Sequence, residues 1–122
     1  QAEELEILFA EEFTRLNGRF AFCINEADAA NQILQLIASS KWQHVYCNEE
    51  RLSKLLAANG SVTLNTSSLA DSDAAVTSCH YLIARTGAIV MSSAQQSVRT
   101  VSVYTSIHIC VAYIDQLIFD TY

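Results

Sequence analysis

His44-Val45-Tyr46-Cys47-Asn48-Glu49-Glu50-Arg51-Leu52-Ser53-Lys54-Leu55-Leu56-Ala57-Ala58-Asn59-Gly60 sets the architecture of the chain. It opens on a short apolar run, His44 to Cys47, of the kind that forms a buried strand. Asn48 then stands where a helix cap is wanted, and Glu49 and Glu50 fall in the first turn, where the helix dipole favours negative charge. Leu52, Leu55 and Leu56 recur at three- and four-residue spacing as an inward stripe, and Gly60 stops the helix. A further short strand is expected over Val62 to Leu64.

The same grammar stands one unit upstream. Phe20 to Ile24 are five consecutive apolar residues between Arg19 and Asn25 and read as a strand covered on both faces. Asn25 caps a helix over Glu26 to Ser39, with Glu26 and Asp28 in its first turn and Ala30, Ile33, Leu34 and Ile37 on one stripe. Before it, Gln1 to Asn17 spaces Leu5, Leu8, Phe9, Phe13 and Leu16 as an amphipathic helix, closed by Gly18 in a left-handed C-terminal conformation. Helix and strand therefore alternate through the first half. Parallel neighbours need crossover connections, so the expected class is α/β with a mostly parallel sheet.

Beyond the Ser-rich segment Asn65 to Asp73 the texture changes to apolar runs with little helix between them: Ala74 to Val76, Tyr81 to Ala84, Ala88 to Met91, Val101 to Tyr104, Ile107 to Tyr113 and Leu117 to Phe119. Arg85-Thr86-Gly87 and Ile114-Asp115-Gln116 separate neighbouring runs at spacings suited to tight reversals or bulges. No repeat beyond the two strand-and-cap units is present, so one domain over residues 1–122 is expected.

Composition narrows the function. The chain has 122 residues, formal net charge -6, 51% hydrophobic and 16% charged residues, with a pI near 4.8. That length suits one core, and the apolar fraction excludes intrinsic disorder. Seven Lys and Arg scattered along an acidic chain cannot neutralise many phosphates, so nucleic acid is not an expected partner. No apolar run reaches bilayer length, and Glu3, Glu4, Glu6, Glu11 and Glu12 replace the basic start of a signal peptide, so a soluble, cytoplasmic protein is expected. Cys23, Cys47, Cys79 and Cys110 are widely spaced and read as reduced structural thiols, Cys23 and Cys47 inside buried strands.

Two features could carry chemistry. His80 follows Cys79, and His108 precedes Cys110 by two, which would set the latter pair on one strand face. These four could hold zinc or iron; the alternative is that the thiols pack in the sheet and each histidine satisfies a hydrogen bond, leaving no metal. At Arg85-Thr86-Gly87 a positive φ could expose amide hydrogens to an anion, with Arg85 as counter-charge and Thr86 and the Ser92-Ser93 pair as hydroxyl donors. The competing reading is a hairpin turn with a solvent-facing arginine.

Asp73-Ala74-Ala75-Val76-Thr77-Ser78-Cys79-His80-Tyr81-Leu82-Ile83-Ala84-Arg85-Thr86-Gly87-Ala88-Ile89-Val90-Met91-Ser92-Ser93, followed by Ile107-His108-Ile109-Cys110-Val111-Ala112, resembles the LUD domain of the LutC/YkgG lactate-utilisation family. In that family a strand enters an Ala-Glu-Thr-Gly-Thr turn, continues into an apolar strand and is followed by a Pro-Pro-Val-His-Ile-Val-Val-like strand. The resemblance implies a three-layer α/β/α fold similar to the glucosamine-phosphate isomerase, ribose-phosphate isomerase and CoA-transferase group, with its pocket at the carboxyl ends of the parallel strands.

Carried onto this chain, the resemblance implies that Thr86 and Gly87 line the pocket with His108 on the neighbouring strand; with the Arg85 and Ser92 of the turn reading, these residues are expected to bind a small carboxylate or phosphate. It implies an accessory component of bacterial L-lactate oxidation to pyruvate, with no redox cofactor in this chain and iron-sulfur clusters in partner subunits. The alternative is a non-catalytic small-anion or metabolite-binding module of the same fold. Arg85 stands where the family usually has Glu, which removes an acid or base and favours anion binding. Thr105 and Ser106 stand where it often has prolines, in a chain with none. The family continues into a Gly-Pro-Ser-x-Thr-Ala-Asp-Ile-Glu-like segment, so the chain is expected to be either a piece of a longer protein or a reduced relative without that pocket wall, in which open strand edges would suit a homodimer.

Overall fold

The structure, a computed structural model, describes residues 2–65, 71–90 and 107–120. It contains two compact units, Cys23–Ser78 with Ser97–Val111, and Gln1–Phe22 with Cys79–Gln96 and Ala112–Tyr122. The expected strand Val101 to Tyr104, and Met91, Ser92, Ser93, Thr105 and Ser106, lie outside the described residues.

The first of these units is the α/β core. Helix α2 (Glu26–Ser40) begins where the sequence requires it: the Asn25 side chain accepts from the Asp28 N–H at 2.9 Å. Strand β1 (Val45–Tyr46), helix α3 (Glu50–Asn59), strand β2 (Leu64–Asn65), strand β3 (Ala74–Ser78) and strand β6 (His108–Val111) follow. Their sheet has the order β2-β1-β3-β6, and every pairing is parallel. The fold class is therefore α/β.

One face of this sheet packs on the helices. Ala30, Ile33 and Ile37 of α2 and Leu52 and Leu56 of α3 form a single core with Val45, Cys47 and Val76, joined by Ile109 and Val111. Alternation along the strands then sends Tyr46, Ala75, Thr77, His108 and Cys110 to the other face, where Tyr46 and Ala75 are buried together. Burial of both faces explains why β1 and β3 read as short unbroken apolar runs. At the amino ends of the strands, Asp73 clasps the starts of β1 and β3: one carboxylate oxygen accepts from the N–H groups of Gln43 and His44, each at 3.0 Å. Those two bonds hold the Asp73 carboxyl below the usual carboxylate range.

The other unit holds helix α1 (Ala2–Arg15) and strands β4 (Tyr81–Ile83), β5 (Ala88–Val90) and β7 (Leu117–Ile118), ordered β5-β4-β7. β4 and β5 form an antiparallel hairpin, while β7 joins β4 in parallel. Ile114-Asp115-Gln116 is one turn of 3-10 helix, not a reversal, because the runs on its two sides pair elsewhere: β6 with β3 and β7 with β4. Among the described residues no helix is long and apolar enough to cross a membrane.

Three local expectations are corrected. Phe20 to Ile24 is not a strand: Phe22 and Ile24 are 58% and 91% exposed. The Phe20 ring packs at 5.9 Å on Phe9 and at 5.6 Å on Phe22, so aromatic contacts take the place of a ladder. Cys23 is accordingly only half-buried, while Cys47 is fully buried. At the end of α1 the left-handed residue is Asn17, with φ 69°, and the Gly18 N–H closes the turn on the Phe13 carbonyl at 2.9 Å. Gly18 is needed for space, since a Cβ there would strike the Phe13 ring. Finally, Glu49 rather than Asn48 is the N-cap residue of α3, and its side chain makes no capping bond.

Candidate functional site

The strand order β2-β1-β3 places a topological switch point in the sheet before any side chain is considered. From β1 the chain crosses through α3 to β2 on one side, and β3 returns on the other side of β1. Connections leaving β1 and β3 at their carboxyl ends therefore diverge, and open α/β sheets bind ligands at such a switch point. Two residues meet there. Glu49, just beyond β1, accepts from the Ser78 N–H at 2.9 Å and from the Ser78 hydroxyl at 2.5 Å, at the last residue of β3. The Glu49 carboxylate is thus engaged across the switch point, which is why it does not cap its own helix.

The next strand adds a base. His108 opens β6 opposite Ala75, and its Nε2 lies 2.6 Å from the hydroxyl of Thr77. Thr77 is 4% exposed, so the imidazole satisfies a buried hydroxyl that would otherwise be orphaned. Burial lowers the His108 pKa from 6.5, and the charge of Glu49 opposes that shift. Burial thus favours the uncharged, proton-accepting imidazole, which is half-buried beside a hydroxyl partner. Glu49–Ser78 and Thr77–His108 are therefore two polar pairs on opposite faces of β3, coupled through the charge of Glu49.

The residues expected from sequence are distributed differently. Arg85-Thr86-Gly87 is the hairpin turn between β4 and β5, in the other sheet, and β6 pairs with β3 rather than with either hairpin strand. Gly87 has φ 75°, as the turn required, and donates its N–H to the Ile83 carbonyl at 2.8 Å. A Cβ on Gly87 would come within 2.9 Å of the α1 backbone at Glu12 and Phe13, so close packing also demands glycine. The Arg85 N–H goes to the Phe119 carbonyl at 3.0 Å, and its guanidinium pairs with Asp120 at 2.5 Å. Two amides and the cation that an incoming anion would use thus already have partners. Thr86 is exposed. Ser92 lies outside the described residues.

Cys79 and His80 belong to the same unit as the hairpin, and the His80 ring sits 4.2 Å from that of Tyr81. His108 and Cys110 share a face of β6, as their spacing required. Among the described residues, no three His, Cys, Asp or Glu side chains come together as metal ligands. Sequence reasoning reached His108 but missed Glu49, Thr77 and Ser78. Their signal was the strand order: only when β3 lies beside β1 do residues 49 and 78 face each other.

Neither a curated protein nor a solved structure matches the chain. Residues 48–122 match the LUD domain, a stretch that begins just beyond β1 and takes in Glu49, Thr77, Ser78, the Arg85 hairpin and His108. With more than half of its length inside that match, the chain belongs to the LUD domain family.

Proposed function

We propose that this chain is an accessory LUD-domain component of an L-lactate oxidation system, working with partner subunits that carry iron-sulfur clusters and holding no redox cofactor itself. It binds the small hydroxy or keto acid at the carboxyl end of this sheet, where Glu49 and Ser78 stand at the β1/β3 switch point and His108, on the neighbouring β6, takes or returns a proton with its charge biased by Glu49. The observation that supports this reading is the family match over residues 48–122, which contains both the Glu49–Ser78 and the Thr77–His108 pairs. The Arg85 turn is a weaker candidate for the acid, because its guanidinium and the neighbouring amides are engaged within their own sheet.

The test is genetic and biochemical. Deleting the gene in its own host should impair growth on L-lactate and leave growth on pyruvate intact, and the tagged chain should copurify with proteins containing iron and acid-labile sulfide. Normal growth on lactate, together with purification free of iron-sulfur partners, would refute the reading.

A further inference from the structure

A hollow lies at the amino ends of the strands of the same sheet and is independent of the lactate reading. It is a cleft of about 580 Å³, within the range of small-molecule sites, between the C-terminal parts of α2 and α3. Trp42 and Gln43 lead from it into β1, and Ser61 and Val62 lead towards β2. The strands are parallel, so these residues mark their amino ends and Glu49 the carboxyl ends. A smaller hollow of about 220 Å³ shares Ile37, Trp42 and Val62 and deepens the cleft towards Val45.

Its chemistry is sorted by depth. Ile37 is buried, and Leu34, Trp42 and Val62 pack against the core, giving an apolar inner wall that includes a half-buried indole. The exposed side chains of Asn31, Gln35 and Lys41 form the outer part. In a chain of net charge -6, the described residues lining this cleft include one lysine and no carboxylate. Asp73, which accepts from the backbone of Gln43, is not among them. Lys41 thus offers an incoming anion one exposed cation at the lip, with the Asp73 carboxylate behind Gln43 held by the strand backbone.

Lys41 itself is unexpected at its position. It ends α2 in a left-handed conformation, φ 59°, while the Trp42 N–H bonds the Ile37 carbonyl at 3.2 Å. Glycine is the residue this motif prefers, because a Cβ is disfavoured there. Lys41 therefore brings its ammonium to the lip of the cleft from a position whose backbone glycine would suit better.

We propose that this cleft is a binding site for a small planar organic monoanion, a ring bearing one carboxylate. The ring lies against Trp42 and the apolar wall, the carboxylate pairs with the Lys41 ammonium, and Asn31 and Gln35 supply hydrogen bonds at the rim.

Trp42 is the one tryptophan of the chain, so its indole N–H gives a single, assigned resonance at the site. The full chain is titrated with 2-naphthoate and, separately, with the neutral 2-naphthylmethanol, and ¹H–¹⁵N spectra are followed. Saturable shifts of the Trp42 indole and of the Asn31 and Gln35 side-chain amides are expected, with naphthoate binding about threefold tighter than the alcohol, the size of an exposed ion pair. Lys41→Gln retains the backbone demand and removes the charge; it should erase the preference for naphthoate and leave binding of the alcohol unchanged. Ala38→Phe, on the exposed face of α2, should fill the cleft and abolish both sets of shifts. An indole resonance unmoved by millimolar naphthoate, or an equal affinity for acid and alcohol in the parent chain, overturns the proposal.

Discussion

Replacing Glu49 by alanine removes both acceptors that Ser78 uses, the one on its N–H at 2.9 Å and the one on its hydroxyl at 2.5 Å. A hydrogen bond to a charged group is worth roughly 1.5 to 3 kcal/mol when water cannot replace it. Here both residues are half-buried, so water recovers part of each bond, and a total loss of about 1 to 2 kcal/mol follows. For 122 residues, an unfolding entropy of roughly 2.1 cal/mol/K per residue converts this into a Tm drop of about 4 to 8 °C. Glu49→Gln keeps one acceptor oxygen and should lose about half as much.

The assay is urea unfolding followed by the fluorescence of Trp42, which lies in the same unit as Glu49. A second readout is the His108 ring titration by NMR. Because the Glu49 charge raises the His108 pKa, either substitution should lower it further. If Glu49→Ala unfolds within about 0.3 kcal/mol of the parent, inside ordinary surface variation, and His108 titrates as before, the bridge across the switch point does not exist.

Other outcomes follow from single residues. His108 has a folded pKa below 6.5, so the unfolded chain binds the extra proton first; stability should fall as pH drops from about 6.5 through the folded value, and His108→Gln should flatten that slope in pH-dependent urea unfolding. Asp73 has a depressed pKa, so its contribution is present above 3.8 and lost as pH falls through the folded value; Asp73→Asn should remove this acid-limb component in the same experiment. Gly87→Ala places a Cβ 2.9 Å from the α1 backbone at φ 75° and should cost about 1 to 3 kcal/mol or more in thermal unfolding. Leu56→Ala, at a side chain 1% exposed in the α2–α3 core, should cost about 2 to 5 kcal/mol by urea unfolding.

Local rules carried the first half of the chain well. The Asn25 cap, the α2 stripe and the leucines of α3 were legible because helix periodicity and capping are written within a few residues. The parallel sheet followed from alternation alone. Phe20 to Ile24 misled because an apolar run of five does not say whether its partner is a strand or a set of aromatic rings. Gly18 and Asn17 exchanged roles because either can adopt the left-handed turn, and only the Phe13 ring beside residue 18 decides between them. Glu49 looked like a first-turn acid, since its true partner stands 29 residues away and is reached only through the strand order.

The site was legible to the same extent. His108 stood out because a polar ring in an apolar run needs a reason, and the Thr77 hydroxyl supplies one. Gly87 stood out for a conformational reason that proved correct for the turn, yet its N–H is engaged by Ile83, and the Arg85 N–H and guanidinium by Phe119 and Asp120. A motif shows which residues are unusual; the strand order shows which of them face the same opening.

If the carboxyl ends of β1 and β3 form the ligand site, the chain's own nuclei there must sense the acid. They are read by ¹H–¹⁵N and imidazole ¹H titration of the full chain with L-lactate and with pyruvate. The largest shifts are expected on the Ser78 amide and the His108 ring. Shifts centred on the Arg85 and Gly87 amides, or none at Ser78 and His108 with either acid, would place the site elsewhere and contradict the proposed function.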